Sequence, residues 1–183
     1  MSTHNLYAAY GCWHLRFLLD FFTATGLTPY SYSKLTDNPT STAQALRTQL
    51  KRDDMKLSRA KLIVSIVGYK LDVEFKDKTS AIAETPGYTI ILPDHLRENL
   101  ERGALKKESR NKNLTFLKEF LARNNISSRN LAQRIGMSAG AVETWFSTDD
   151  VAISYLYRIK DVFQADIFFV VSERDDDTVN SDN

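Results

Sequence analysis

The chain's 183 residues suffice for one large domain or two small ones, and 43% hydrophobic with 26% charged residues predicts a packed core, not a disordered or fibrous chain. Cys12 is the only cysteine, which excludes an intrachain disulfide and fits a reducing cytosol. No run approaches the roughly 20 apolar residues that span a bilayer; the stretch Phe17 to Phe22 is broken by Asp20 and lacks a basic start, so neither a signal peptide nor an anchor is expected. The net charge of +1 is unevenly spread. Arg16, Lys34, Arg47, Lys51 and Arg52 face only Asp20 and Asp37 in the first 52 residues, whereas Glu173 to Asp182 is acidic. A nucleic-acid partner would meet a local basic patch, not a globally basic protein.

In chain order, the stretch 15–28 (LRFLLDFFTATGLT) predicts a first helix and a tight connection. A turn-rich segment, Thr36-Asp37-Asn38-Pro39-Thr40, precedes a helix carrying Ala45, Leu46, Thr48 and Leu50. The phrase DDMKLS (53–58) leads into a helix whose apolar face is Leu57, Ala60, Ile63, Ile66 and Val67, with Ser58 where an N-cap is expected. Leu71, Val73 and Phe75 then alternate as one face of a strand, with Asp72 and Glu74 on the other. Residues 78–113 read as a connector with a strand at 88–92, a short helix at 95–103 and a basic linker up to Asn113.

From residue 114 the same order recurs. DDVAIS (149–154) echoes DDMKLS at a spacing of 96, with Ser154 again where an N-cap is expected, and Ile153, Leu156, Ile159, Val162 and Phe163 repeat the apolar helix face. Ile167, Phe169 and Val171 repeat the strand; Phe168 and Val170 on its other side predict cover on both faces. Ala141, Val142, Thr144 and Phe146 match the helix before the phrase, and residues 114–127 match 15–28 at a spacing of 99, which places three extra residues in the first copy's turn-rich segment. The second copy's pieces fall near 114–124, 128–135, 138–147, 153–163 and 166–172. The chain is therefore read as a duplication: a first unit (1–77), the connector (78–113), a second unit (114–173) and an acidic, disordered tail (174–183).

Within the second unit, ISSRNLAQRIGMSAGAVETWFS (126–147) resembles the helix-turn-helix of the lambda-repressor/Cro-like (XRE) family. Ile126, Ser127, Leu131, Ala132, Ile135, Gly136, Met137 and Ser138 carry the likeness. Ala132 is small where two helices cross, Gly136 supplies a turn backbone, and Ser138 caps the second helix. The first unit departs from the pattern: Leu27, Thr28, Tyr32 and Ser33 align, but the Ile–Gly pair is absent. The family also includes regulators that add a C-terminal strand. The fold class expected is mainly α with a small β-sheet: two duplicated helix-turn-helix bundles, each ending in a strand, sharing a central sheet packed between them.

The resemblance implies that the second helix of each pair lies in a major groove. In the first unit the outward positions expected are Thr42, Ala43, Gln44, Arg47, Thr48 and Lys51, with Arg52 beyond; Gln suits adenine, Arg suits guanine, and Lys51 and Arg52 suit phosphates. In the second unit the equivalents are Ser138, Ala139, Gly140, Glu143 and Thr144, with Arg129 and Arg134 on the preceding helix able to reach the backbone. Glu143 takes the place of Arg47; a carboxylate near phosphates is repelled but can accept from cytosine, which predicts unequal half-sites or one reading and one supporting half.

The pairs Asp53-Asp54 and Asp149-Asp150 have no His or Cys nearby and read as turn and helix-dipole residues. His4, His14 and His95 have no metal-ligand spacing, and Trp13 and Trp145 read as core, with an exposed contact the alternative for Trp145, the counterpart of Gln49. No phosphate loop or nucleophile set suggests an enzyme or a cofactor.

The expectation is a sequence-specific double-stranded DNA-binding transcription regulator acting by operator occupancy, in a bacterial, phage or mobile-element setting and a cytoplasmic, nucleoid-associated place. Double-stranded DNA is its expected partner, with the sheet open to homodimer pairing and no membrane or small-molecule substrate indicated. The alternative is a protein-interaction or assembly module that reuses the duplicated fold without DNA readout.

Overall fold

A computed structural model describes residues 13–36, 39–77, 89–93 and 113–173. Its elements are α1 (Arg16–Thr25), α2 (Pro29–Ser33), α3 (Pro39–Arg52), α4 (Leu57–Ser65), β1 (Tyr69–Asp77), β2 (Thr89–Ile91), α5 (Thr115–Arg123), α6 (Ser128–Arg134), α7 (Ala139–Thr148), α8 (Ile153–Phe163) and β3 (Ala165–Glu173). The chain is mainly helical with a small three-stranded sheet of order β1-β3-β2. The strand expected at 88–92 is β2; the helix expected at 95–103, the linker and the tail at 174–183 lie outside the described residues.

The backbone carries the repeat in its strained positions. Left-handed φ angles occur at Gly26 (69°) and Asn125 (54°), at Asp53 (53°) and Asp149 (51°), and at Gly68 (89°) and Gln164 (50°). Each pair is a pair of counterparts, at spacing 99 for the first and 96 for the other two. Side chains other than glycine rarely enter this region without a reason. Three recurrences at matched positions therefore mark one chain path traced twice. Gly136 (66°) is the exception: its turn falls where the first unit carries the three extra residues.

The two units are related by a pseudo-twofold axis. In the antiparallel β1–β3 ladder Val73 faces Phe169, its own counterpart, so Tyr69 pairs with Glu173 at one end and Asp77 with Ala165 at the other. A second self-paired contact is the isolated bridge between Lys56 and Ala152. Around it the bonds are reciprocal: Leu57 N–H donates to Val151 C=O (2.8 Å) and Ile153 N–H to Met55 C=O (2.9 Å).

Helix capping follows the same reciprocity and corrects the expectation for Ser58 and Ser154. The N-cap residues of α4 and α8 are Lys56 and Ala152, neither of which supplies a side-chain bond. The cap comes from the opposite unit. Asp150 accepts from Ser58 N–H (3.1 Å) and Ser58 Oγ–H (2.7 Å), and Asp54 accepts from Ser154 N–H (3.1 Å) and Ser154 Oγ–H (2.8 Å). The other acid of each pair serves its own unit. Asp53 accepts from the N–H groups of Trp13, His14 and Leu15, each at 2.9 Å, and Asp149 from those of Asn113 (2.6 Å) and Leu114 (3.1 Å). The four acids are thus helix-dipole residues, as expected, but none caps the helix it immediately precedes.

Packing crosses the axis as well. Phe17 of α1 stacks on Phe169 of β3 (centroids 3.9 Å), while Phe116 and Phe120 of α5 lie against Phe75 of β1 (5.8 and 4.9 Å). Each unit's strand therefore rests on the other unit's first helix, and one apolar cluster runs through both units. The cross-strand sets Leu71/Val171, Val73/Phe169 and Phe75/Ile167 are all buried, each side chain contributing about 1.5–3 kcal/mol relative to exposure.

Among the described residues, helices cover one face of the sheet only. Its other face carries Lys70, Asp72, Glu74 and Lys76 beside Phe168 and Val170, which are only half-buried, so the cover expected on both sides of β3 is incomplete among the described residues. Charges on the neighbouring strand keep that face wet, and Lys76 Nζ sits 4.8 Å from the Phe168 ring centre. At the β1 edge Arg123 donates to Phe75 C=O (3.1 Å), filling a main-chain acceptor on an edge strand. Trp13, expected in the core, is 63% exposed because it precedes the first turn of α1; Trp145 is buried and packs on Tyr155 (4.9 Å).

Candidate nucleic-acid interface

The α6–turn–α7 pair is built by local rules. Ser127 accepts from Asn130 N–H (3.2 Å) to start α6, and Ser138 accepts from Ala141 N–H (3.2 Å) to start α7. Between them Gly136 takes the left-handed turn. Leu131, Ala132, Ile135 and Val142 are buried between the helices, and Met137 is partly buried. The first unit uses a reciprocal cap instead: Thr28 Oγ1 accepts from Ser31 N–H (3.1 Å) and Ser31 Oγ from Thr28 N–H (2.8 Å). Its second helix, α3, has 14 residues against 10 in α7.

Burial sorts the expected site residues on α3. Gln44, Arg47, Thr48 and Lys51 are exposed at helical spacing, forming one outward stripe that Arg52 extends. Thr42 is half-buried, with its hydroxyl 3.2 Å from that of Thr36. Ala43 is a correction: it is 6% exposed, on the inward stripe with Leu46 and Leu50, so its side chain is not presented outward. No acidic residue lies within α3, and the adjoining carboxylates of Asp53 and Asp54 are engaged by helix N–H groups.

On α7 the matching stripe is Gly140, Glu143, Thr144 and Ser147, all exposed, with Ser138 exposed at the cap and Ala139 half-buried. Its hydroxyls turn inward. Thr144 Oγ1 donates to Gly140 C=O (2.8 Å), Ser147 Oγ to Thr144 C=O (3.0 Å) and Thr148 Oγ1 to Thr144 C=O (2.7 Å). Thr48 of α3 makes the counterpart bond to Gln44 C=O (2.9 Å). Glu143 is therefore the one long polar group on the α7 stripe.

Arg129 and Arg134 are both exposed but lie five positions apart on α6, about 140° around the helix axis, so they do not form one cluster. The Arg134 guanidinium lies over the Phe163 ring (5.0 Å). Two cations escaped the sequence reading. Lys56 is exposed at the pseudo-twofold axis, and an Arg158 guanidinium nitrogen lies 3.4 Å from where a Cβ would stand on Gly136. The helix-turn-helix pattern could not name Arg158, because α8 delivers it from outside the motif.

Among the described residues no group of three or more His, Cys, Asp or Glu is placed to hold a metal ion, and no helix is long and apolar enough to cross a membrane. Comparison with family models, curated proteins and solved structures gives no match.

Proposed function

We propose that the chain binds double-stranded DNA through its tandem helix-turn-helix units and acts as a transcription regulator by occupying an operator. The observation that carries this reading is the exposed, acid-free stripe Gln44, Arg47, Thr48 and Lys51 on the second helix of the first pair. A helix presenting such side chains is what a major groove admits, with Arg and Gln able to make paired bonds to guanine and adenine. The pseudo-twofold axis supplies the second unit without a second chain, and covalent tethering raises the effective concentration of the second contact. The likeness of residues 126–147 to XRE-type regulators supports the same reading, and with it a cytoplasmic, nucleoid-associated setting.

The test is binding of the full chain to a random-sequence duplex across salt concentrations. The reading expects affinity to fall steeply between about 50 and 200 mM salt, as counterion release requires, and Arg47→Ala with Lys51→Ala to weaken it. Absence of binding at low salt would refute the reading. It would instead favour an interaction module, which the half-buried apolar residues Phe168 and Val170 on the open sheet face, beside the exposed Ile91, support.

A further inference from the structure

We infer that the two units divide the duplex unequally: α3 reads bases and α7 does not, so the preferred site is non-palindromic, with Gln44 and Arg47 as its specificity-determining residues. The inference rests on the DNA-binding reading above and adds which half carries the sequence information. At spacing 96 the counterpart of Gln44 is Gly140 and that of Arg47 is Glu143. Both groups able to make paired bonds to a base edge are thus lost from α7. What its outward stripe keeps is Glu143, a carboxylate that can only accept, as from cytosine N4, and Thr144, Ser147 and Thr148, which donate their hydroxyl protons to carbonyls of their own helix.

The electrostatics point the same way. Glu143 is exposed, and a carboxylate facing phosphates is repelled, whereas α3 presents Arg47, Lys51 and Arg52 with no acid among them. On α3, the side chains of Gln44 and Arg47 make no hydrogen bond or ion pair among the described residues, so their donors are available. Three helical residues rise about 4.5 Å, close to the roughly 3.4 Å step between bases, so the two side chains can address neighbouring base pairs. Gln44 would select adenine and Arg47 guanine. The second unit would contribute tethering and orientation from Arg129 and Arg158 without selecting bases.

Selection of duplexes from a random pool by the full-length chain tests this. The expected product is one short specified run containing adjacent adenine and guanine, with no inverted copy beside it. Arg47→Lys, which keeps the charge but loses the fork, should lower affinity for the selected duplex by roughly 5- to 150-fold while leaving random-duplex binding nearly unchanged. Glu143→Gln should return the same specified run. An inverted repeat with two equal halves would overturn the inference and leave the DNA-binding reading standing; so would an Arg47→Lys variant as selective as the parent, or binding with no sequence preference. Failure to bind any duplex at low salt would overturn both.

Discussion

Lys56 and Ala152 face one another across an isolated antiparallel bridge, and each is the other's counterpart in the repeat. A residue can meet its own counterpart only on a symmetry axis, as the two patches of a twofold homodimer do. Together with Val73 opposite Phe169, the bridge places two points on one pseudo-twofold axis within a single chain. The chain thus has the contact logic of a dimer whose subunits are covalently joined, with hydrogen bonds and ring contacts that cross the axis.

The reciprocal caps give the first prediction. Asp150 holds Ser58, and Asp54 holds Ser154, each through one backbone and one hydroxyl donor. Asp150→Ala or Asp54→Ala should cost about 1–2 kcal/mol, the range of a lost helix cap. Ser58→Ala in an Asp150→Ala background should add little, because its partner is already gone. Urea unfolding of the parent, Asp150→Ala, Ser58→Ala and the double variant in a double-mutant cycle checks this; additive losses would show that the two side chains do not act as a pair.

This contact also shows what the sequence could and could not disclose. The helix faces around Leu57 and Ile153 and the alternation at Leu71 and Ile167 are legible because a period needs only the residues that form it. The caps are not: judged from its neighbours Ser58 looks like its own helix's cap, whereas its partner lies 92 residues away, brought there by the axis. Ala43 stands between two expected outward residues in sequence, but the 43, 46, 50 stripe carries it inward. The α3 stripe was legible from residue type and spacing, and Arg158 was not, since only the fold carries α8 to the Gly136 turn.

Asp53 has two tasks at once, which yields a ranking. It ends α3 in the left-handed region and accepts three N–H bonds ahead of α1. Asn keeps the backbone tolerance and one acceptor oxygen, so Asp53→Asn should be the mildest change. Asp53→Gly loses the cap at a cost of about 1–2 kcal/mol but eases the backbone. Asp53→Ala loses both, adding about 1 kcal/mol or more. Thermal unfolding should rank the variants Asn, Gly, Ala in falling order, and equal Gly and Ala would show that the φ of 53° carries no cost.

Tyr32 is wholly buried between α2 and its neighbours, and its hydroxyl finds no partner among the described residues. Burial raises its pKa above the usual tyrosine value, against a smaller opposing pull from Arg59. With the folded pKa raised, the folded chain holds its proton where the unfolded chain releases it. Stability is therefore full below the ordinary tyrosine pKa of about 10 and declines above it. Tyr32→Phe removes an unpaired polar atom, so it should be neutral or stabilising by up to about 1 kcal/mol at neutral pH. Its advantage over the parent should widen above about pH 10. Urea midpoints of the two proteins across that range check it, and a constant difference would contradict the assignment.

The most direct measurement exchanges the charges of the two counterpart positions. Arg47→Glu makes α3 resemble α7, and Glu143→Arg makes α7 resemble α3, both at exposed sites that leave the core untouched. Affinity for a random-sequence duplex at fixed low salt is the readout. An unequal twin that grips DNA chiefly through α3 predicts a loss of about tenfold or more for Arg47→Glu and a gain for Glu143→Arg, since each reversal changes the charge facing the phosphates by two. Unchanged affinity in both variants, or no binding by the parent chain, would contradict it.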